Sequence, residues 1–301
     1  MGIYKAVMDI GTNSCRLIIA EVMEKDDITH IRRAKTTRAG EGIGHGAGVI
    51  SAGARDRTLT VLKEYKALID GYPVISSRLL GTQALREAAN SQVFAAKIKD
   101  ETGFELEIIS PDEEARLSYI GATRGVSAFK DLSPVVLDIG AGSTELVFEE
   151  RDDKGETRIT GASVPVGCLR LLEKPMDDQS LIQVFREGWR RLPIPAGDDK
   201  KKPLIAVGGT ATTFGAIHLN MKIYDPEAML GLRVDSGRIR EILDTLEGMP
   251  PEERLSLPGM LPGREDVLPW GLRILLAVMR HCGRESVLIC DRDLLYGALY
   301  C

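Results

Sequence analysis

No lysine in the 301-residue sequence follows a glycine, so the G-K-[ST] end of a P-loop is nowhere present. None of the four histidines, His30, His45, His218 and His281, is followed by aspartate, which removes a His-Asp metal dyad. The five cysteines, Cys15, Cys168, Cys282, Cys290 and Cys301, are odd in number and include no C-x-x-C pair. Reduced thiols suit that set better than a disulfide or zinc framework. None is followed by arginine at the C-x5-R spacing, which argues against a cysteine-nucleophile phosphatase loop. Apolar runs are short: no window approaches the roughly 18 uncharged apolar residues that span a bilayer. Met1–Ala6 lacks the cationic start of a signal peptide, and Ala6 stands where a myristoylation signal needs Ser or Thr. A net charge of -5 leaves no basic footprint for nucleic acid. The expectation is a soluble, cytoplasmic protein with no nucleic-acid or membrane partner, in which any bound anion is held by local groups.

What is present is 44% apolar residues, enough for a sizeable core and about two domains. Residues 4–21, YKAVMDIGTNSCRLIIAE, read as a strand, a tight turn and a second strand. Residues 135–150, VVLDIGAGSTELVFEE, repeat that hairpin in register. Placing Asp9 on Asp138 also aligns Gly11 with Gly140 and Ser14 with Ser143, so an internal duplication and two facing half-folds are predicted. Between the copies, a Gly-rich loop is expected over 38–48, helices over 52–71 and from Thr82 to about Lys99, and strands over 74–80 and 105–109. Ser110-Pro111-Asp112-Glu113 reads as a capping box with proline at the first helical position. Further on, Leu204–Val207 forms a strand and Gly208-Gly209-Thr210 opens a helix. Residues 250–269 form a long loop or broken helix, and a short helix closes the chain from Leu294 to Tyr300. Trp189 and Trp270 read as packing residues.

A single D-x-G is ordinarily only a turn. Two copies in register change that reading, because a turn such as D-I-G-T-N-S offers backbone N–H groups and small polar side chains around a concavity that suits a phosphate oxygen. The candidate phosphate-binding residues are Gly11, Thr12, Asn13 and Ser14 in the first turn and Gly140, Ala141, Gly142, Ser143 and Thr144 in the second. Gly208, Gly209 and Thr210 join them at a helix N-terminus, whose partial positive charge favours an anion. Asp9 and Asp138, just before each turn, can hold Mg²⁺ or its waters.

The two hairpins and third loop resemble the actin, sugar-kinase and heat-shock ATPase superfamily. Within it, the match is to the exopolyphosphatase and guanosine pentaphosphate phosphohydrolase family. The segments DIGTNSCRLIIAE, TRAGEG, TQALREAAN, IISPDEEARLSYIGA, LDIGAGSTELVF, VPVGCLRL, AVGGTATTF, PGREDVLPWG and DRDLLYG carry it, in order, over essentially the whole chain. Departures are Gln83 where serine is usual, Pro111-Asp112 in place of a Gly-acidic pair, and Ala141 at a glycine position. The resemblance implies an α/β fold of two similar ribonuclease-H-like, actin-like domains, each a mixed five-stranded sheet with helices, flanking a cleft. It places 1–112 with 290–301 in one domain and 113–289 in the other, and looks like a short form without the family's helical C-terminal region.

The same resemblance implies hydrolysis of terminal phosphoanhydride bonds in polyphosphate or guanosine pentaphosphate, with Mg²⁺ or another divalent cation as cofactor. Glu114 matches the family's catalytic glutamate, Arg86 the clamp on the transferred phosphoryl group, and Glu145 the partner of Asp138 at the metal. Arg38, in the Gly-rich loop, is a further phosphate-binding candidate. Pairing into a homodimer is left open. The rival readings are a kinase or ATPase of the superfamily, and a non-catalytic sensor of guanosine pentaphosphate.

Overall fold

The computed structural model describes residues 2–23, 27–43, 48–124, 126, 129, 132–151, 155–194 and 202–301. Residues 44–47 of the expected Gly-rich loop fall outside those residues. The first half contains β1 (Ile3–Ile10), β2 (Ser14–Val22) and β3 (Asp27–Thr36), then α1 (Ala52–Asp70), β4 (Ser76–Gly81), α2 (Gln83–Glu87), α3 (Ser91–Thr102), β5 (Leu106–Ile108) and α4 (Pro111–Thr123). The second half begins with β6 (Val135–Ile139), β7 (Thr144–Arg151) and β8 (Thr157–Val164), then α5 (Cys168–Glu173), α6 (Asp178–Gly188), β9 (Leu204–Val207) and α7 (Gly208–His218). It ends with β10 (Leu232–Asp235), α8 (Ser236–Glu247), α9 (Pro251–Arg254), α10 (Leu268–Cys282), β11 (Ser286–Ile289) and α11 (Leu294–Leu299).

The strand orders show the duplication. The first sheet runs β3-β2-β1-β4-β5, and the second runs β8-β7-β6-β9-β11 with β10 added beyond β11. The second sheet therefore has six strands where five were expected; the extra strand, β10, pairs antiparallel with β11. In both halves an antiparallel three-strand meander meets parallel neighbours, β1 with β4 and β6 with β9.

The central strands are covered on both faces, which is why they read as apolar runs. In β1, Ala6, Met8 and Ile10 pack with Tyr65 of α1 and Phe94 of α3, while Val7 faces Leu117 of α4 and Leu295 and Leu299 of α11. In β6, Val135, Leu137 and Ile139 pack under α6, α7, α8 and α10, while Val136 faces Ala115 and Tyr119 of α4. Successive side chains alternate faces, so Asp9 shares the face of Val7, and Asp138 that of Val136. Both carboxylates are thereby aimed toward the layer of α4 and α11 between the sheets.

Helix α4 packs on β7 and β8 of the second sheet, and α11 packs on β1 and β2 of the first. They cross on glycines: a Cβ on Gly121 would land on the carbonyl oxygen of Asp293, and one on Gly297 on that of Leu117. Ser110 caps α4 by accepting from the Glu113 N–H at 3.1 Å. The reciprocal half of the expected capping box is not made, because Arg116 takes the Glu113 carboxylate at 2.8 and 2.9 Å. The helix expected from Thr82 to Lys99 is two helices, and Thr82 makes no side-chain cap bond. Asn90 at the break exchanges two 2.9 Å hydrogen bonds with the Ile50 backbone, and the Ala89 N–H donates to Gly48, contacts that outweigh local helix propensity.

Candidate active site

The two hairpin turns have the same geometry. Gly11 N–H donates to the Ser14 carbonyl at 3.0 Å, and Gly140 N–H to the Ser143 carbonyl at 3.0 Å. Both tips line one cleft between the halves. From the expected site residues, its wall takes Asp9, Gly11, Thr12, Asn13 and Ser14 on one side. Asp138, Gly140, Ala141, Gly142 and Ser143 face them, with Gly208 and Gly209 of α7 and Glu114 of α4 completing the wall. The N–H groups of Thr12, Asn13, Ala141 and Gly142 donate to no acceptor among the described residues, which leaves them available to a ligand. The Gly-rich segment braces the first turn: Thr37 and Arg38 donate to the Asn13 carbonyl and Gly40 to that of Thr12.

Glycine matters at two of these positions. A Cβ on Gly142 would begin 2.5 Å from Thr12 Oγ1, so the side chain of the facing turn would have to give way to admit one. Gly208 has a φ of +81°, in the left-handed region, and a Cβ there would lie 2.7 Å from Asp138 Oδ1.

Five expected site residues lie off the cleft wall. Thr144 Oγ1 donates to the Val166 carbonyl at 2.6 Å, and Thr210 Oγ1 to that of Ile139 at 3.3 Å, so the proton of each hydroxyl is engaged by the backbone. Glu145 is buried in the second hairpin, in register opposite Asp138, and accepts from Ser163 Oγ at 2.7 Å. Arg38, with a φ of +49°, is ion-paired with Asp266. Arg86 stands behind Glu114: its Nη1 lies 2.7 Å from Glu114 Oε2 and 2.9 Å from the Ile109 carbonyl, and its Nη2 donates to Gln83 Oε1 at 2.7 Å.

The structure adds Arg16 and Arg264, which sequence reasoning passed over. In the hairpin register Arg16 sits opposite Asp9, and its Nε donates to Asp9 Oδ2 at 2.7 Å while Nη1 pairs with Asp293, the N-cap of α11. A lone arginine in the apolar run SCRLIIAEV was the available signal. Arg264 lines the cleft, lies against Gly209 and donates to Ser14 Oγ at 3.5 Å; among the described residues its side chain forms no other hydrogen bond and no ion pair. It sits in a long irregular segment, where periodicity gives no clue to direction.

The electrostatics are those of crowded carboxylates. Burial pushes Glu114 up to about 7, against the pull of Arg86. Burial also pushes Asp138 up to about 6, with Asp293 adding to it and the Ser118 hydroxyl, 2.7 Å away, opposing. Burial raises Asp9 despite Arg16, and holds Glu145 well above the carboxylate range, with Glu114 and Asp138 adding to the effect. Asp293 is the exception: burial would raise it, but Arg16 and Arg32 together outweigh burial and hold it low.

Such an excess of buried negative charge suits a cation. Asp9 Oδ1 is buried without a partner. Among the described residues, however, no three acidic, histidine or cysteine side chains converge on one point. Two carboxylates at the wall, Asp9 and Asp138, fit Mg²⁺, which keeps several waters and takes one or two carboxylates plus substrate oxygens. Asp9 and Asp138 are placed for this; Glu145 is not at the wall. No helix among the described residues is long and apolar enough to cross a membrane.

Two α/β halves of like topology, joined by crossing helices and presenting twin turns to one cleft, define a known class. The chain belongs to the Ppx/GppA phosphatase family, whose family model matches residues 18–301. Exopolyphosphatase 2 of Mycobacterium tuberculosis is 30% identical over 317 residues, spanning 97% of this chain and 96% of that protein. The bifunctional 3-dehydroquinate synthase/phosphatase of Fusobacterium nucleatum subsp. nucleatum is 31% identical over 314 residues; they cover 98% of this chain but 46% of that longer protein. Of solved structures, the Aquifex aeolicus PPX-GPPA enzyme matches with a TM-score of 0.77 at 28% identity, covering 99% of this chain and 98% of that one. An exopolyphosphatase from Cytophaga hutchinsonii matches at 0.84 and 25% identity, covering 99% and 96%. The two-domain, actin-like α/β fold expected from the sequence is the fold of this family.

Proposed function

We propose that the protein releases inorganic phosphate from the ends of inorganic polyphosphate or from guanosine pentaphosphate, by in-line attack of water on the terminal phosphorus. The observation that carries this reading is the convergence of two like turns and one half-buried carboxylate, poised near neutral pH, on a single cleft. The terminal phosphate sits between the turns, where the free N–H groups of Thr12, Asn13, Ala141 and Gly142, the N-terminus of α7 and Arg264 meet its charge. Glu114 orients a water and takes its proton as the new P–O bond forms, while the bridging oxygen leaves with the electron pair of the broken bond. Arg86 holds Glu114 in place and favours its ionised state. Mg²⁺, held by Asp9 and Asp138, would neutralise charge on the phosphate oxygens. Residues 1–112 with 290–301, and 113–289, move as two bodies that open and close the cleft.

The test is phosphate release from both substrates by the wild type and Glu114→Gln. The variant is expected to bind phosphate normally and to lose about two to four orders of magnitude in turnover. A near-normal rate in Glu114→Gln would remove this residue from its role.

A further inference from the structure

Beyond the cleft lies a rim that the reaction above does not use. The cleft and a smaller pocket meet at Thr12, and that pocket continues into an outer groove through two shared residues of α5, Arg170 and Glu173. Arg170 is tied to the site itself, because its Nε donates to the Gly142 carbonyl in the second turn at 2.7 Å. Its Nη2 pairs across the halves with Glu87 at the end of α2. Glu87 also accepts from Gln83, and Gln83 in turn accepts from Arg86, the partner of Glu114. A second tie spans the same rim, Gly42 N–H to Glu173 Oε1 at 2.9 Å.

We infer that Arg170 is a substrate-binding residue held in reserve by Glu87, and that a phosphate second or third from the scissile end takes the place of that carboxylate. This rests on the phosphohydrolase reading of the cleft and deepens it. A carboxylate and a phosphate oxygen offer the guanidinium equivalent bidentate partners. The pair is partly exposed, with side chains at 28% and 32%, so the exchange has a small barrier. The rim carries Glu87 and Glu173 against Arg170 and Lys174, which is charge-neutral and gives no basic track for a long polyanion. The preferred substrate is accordingly the end of a short oligophosphate, long enough to reach Arg170.

The test compares pyrophosphate, tripolyphosphate and long-chain polyphosphate in steady-state phosphate release, together with calorimetric binding of tripolyphosphate. Removing the competing charge in Glu87→Gln is expected to lower KM for tripolyphosphate about three- to fivefold, with kcat and the pyrophosphate KM unmoved. Arg170→Met is expected to raise KM for tripolyphosphate about tenfold or more and to spare pyrophosphate. Equal effects on all three substrates, or weaker tripolyphosphate binding in Glu87→Gln, would show the pair to be a structural tie and overturn the inference. If the wild type released no phosphate from any substrate, the hydrolase reading would fail. The calorimetric order Glu87→Gln tighter than wild type, tighter than Arg170→Met, would still decide the role of Arg170.

Discussion

Exchanging Arg86 for methionine takes the guanidinium off Glu114 and distinguishes two jobs for this arginine: clamping the transferred phosphoryl group, as family resemblance implies, or setting the charge of the base, as the 2.7 Å contact implies. An arginine beside a carboxylate lowers its pKa by about one to three units. Without it, the Glu114 midpoint climbs from about 7 to roughly 8–10. At pH 7 the ionised fraction falls from about one half to between roughly a tenth and a thousandth, so kcat/KM falls about 5- to 500-fold and recovers as the pH is raised. A lost phosphoryl clamp costs about 10³–10⁵ and does so at every pH. The assay is kcat/KM for phosphate release from about pH 5.5 to 10, because kcat/KM reports the free enzyme. Losing the donors to Ile109 and Gln83 also costs about 1–3 kcal/mol of stability, so a thermal melt fixes the temperature at which the variant is folded. An acid limb that stays in place while the rate drops uniformly would refute the assignment.

Arg264→Met removes the cation of the cleft that has no ion-pair partner, and a hydrogen bond to a charged group contributes about 1.5–3 kcal/mol. The dissociation constant for inorganic phosphate should therefore rise about 10- to 150-fold by calorimetry, and an unchanged constant would place phosphate elsewhere. Gly297→Ala sets a methyl against the Leu117 carbonyl, a backbone atom that cannot swing away. It should destabilise by at least about 1–3 kcal/mol, read as a melting point lower by about 2–10 °C; a melt like wild type would show that α4 and α11 can separate freely. Because Glu114 has its folded pKa raised to about 7, above an ordinary value near 4.3, the fold binds the extra proton and loses that stability as pH rises. Glu114→Gln should therefore show a higher urea midpoint than wild type at about pH 8 without metal, a gap that closes as the pH falls through about 7 toward 5. A gap that widens on acidification would reverse the sign of the burial effect.

The parts of the fold legible in the sequence are those where local chemistry and tertiary contacts agree. Asp9 to Ser14 and Asp138 to Ser143 are turn residues between apolar runs, so the hairpins and their repetition could be read directly. Ser110 and Pro111 marked the start of α4 for the same reason. The failures have physical causes. The segment DITHIRRAKT of β3 carries polar or charged residues at most positions and lies at the sheet edge, so no apolar alternation announces a strand. The separation of α2 from α3 depends on Ile50, forty residues away from Asn90, which no local propensity can report. The hydroxyls of Thr144 and Thr210 donate to backbone carbonyls that only the assembled sheet brings near, contacts no motif could announce.

Duplication gave both halves one hairpin, and the site arises where the copies differ. Arg16 pairs in register with Asp9, and Glu145 occupies the matching place opposite Asp138. A buried carboxylate beside a guanidinium is anchored and partly neutralised; one beside another carboxylate is not. Asp9 Oδ2 is therefore committed to Arg16, with only Oδ1 left over. Asp138, held by the single hydroxyl of Ser118, lies in the field of Asp293 and Asp9 and keeps its charge reluctantly. On the proposed reading, two like turns thus become a fixed anion cradle and a carboxylate that gains most from a cation, and Glu114 enters from α4 on the face that the alternation of β1 and β6 had already turned toward the cleft.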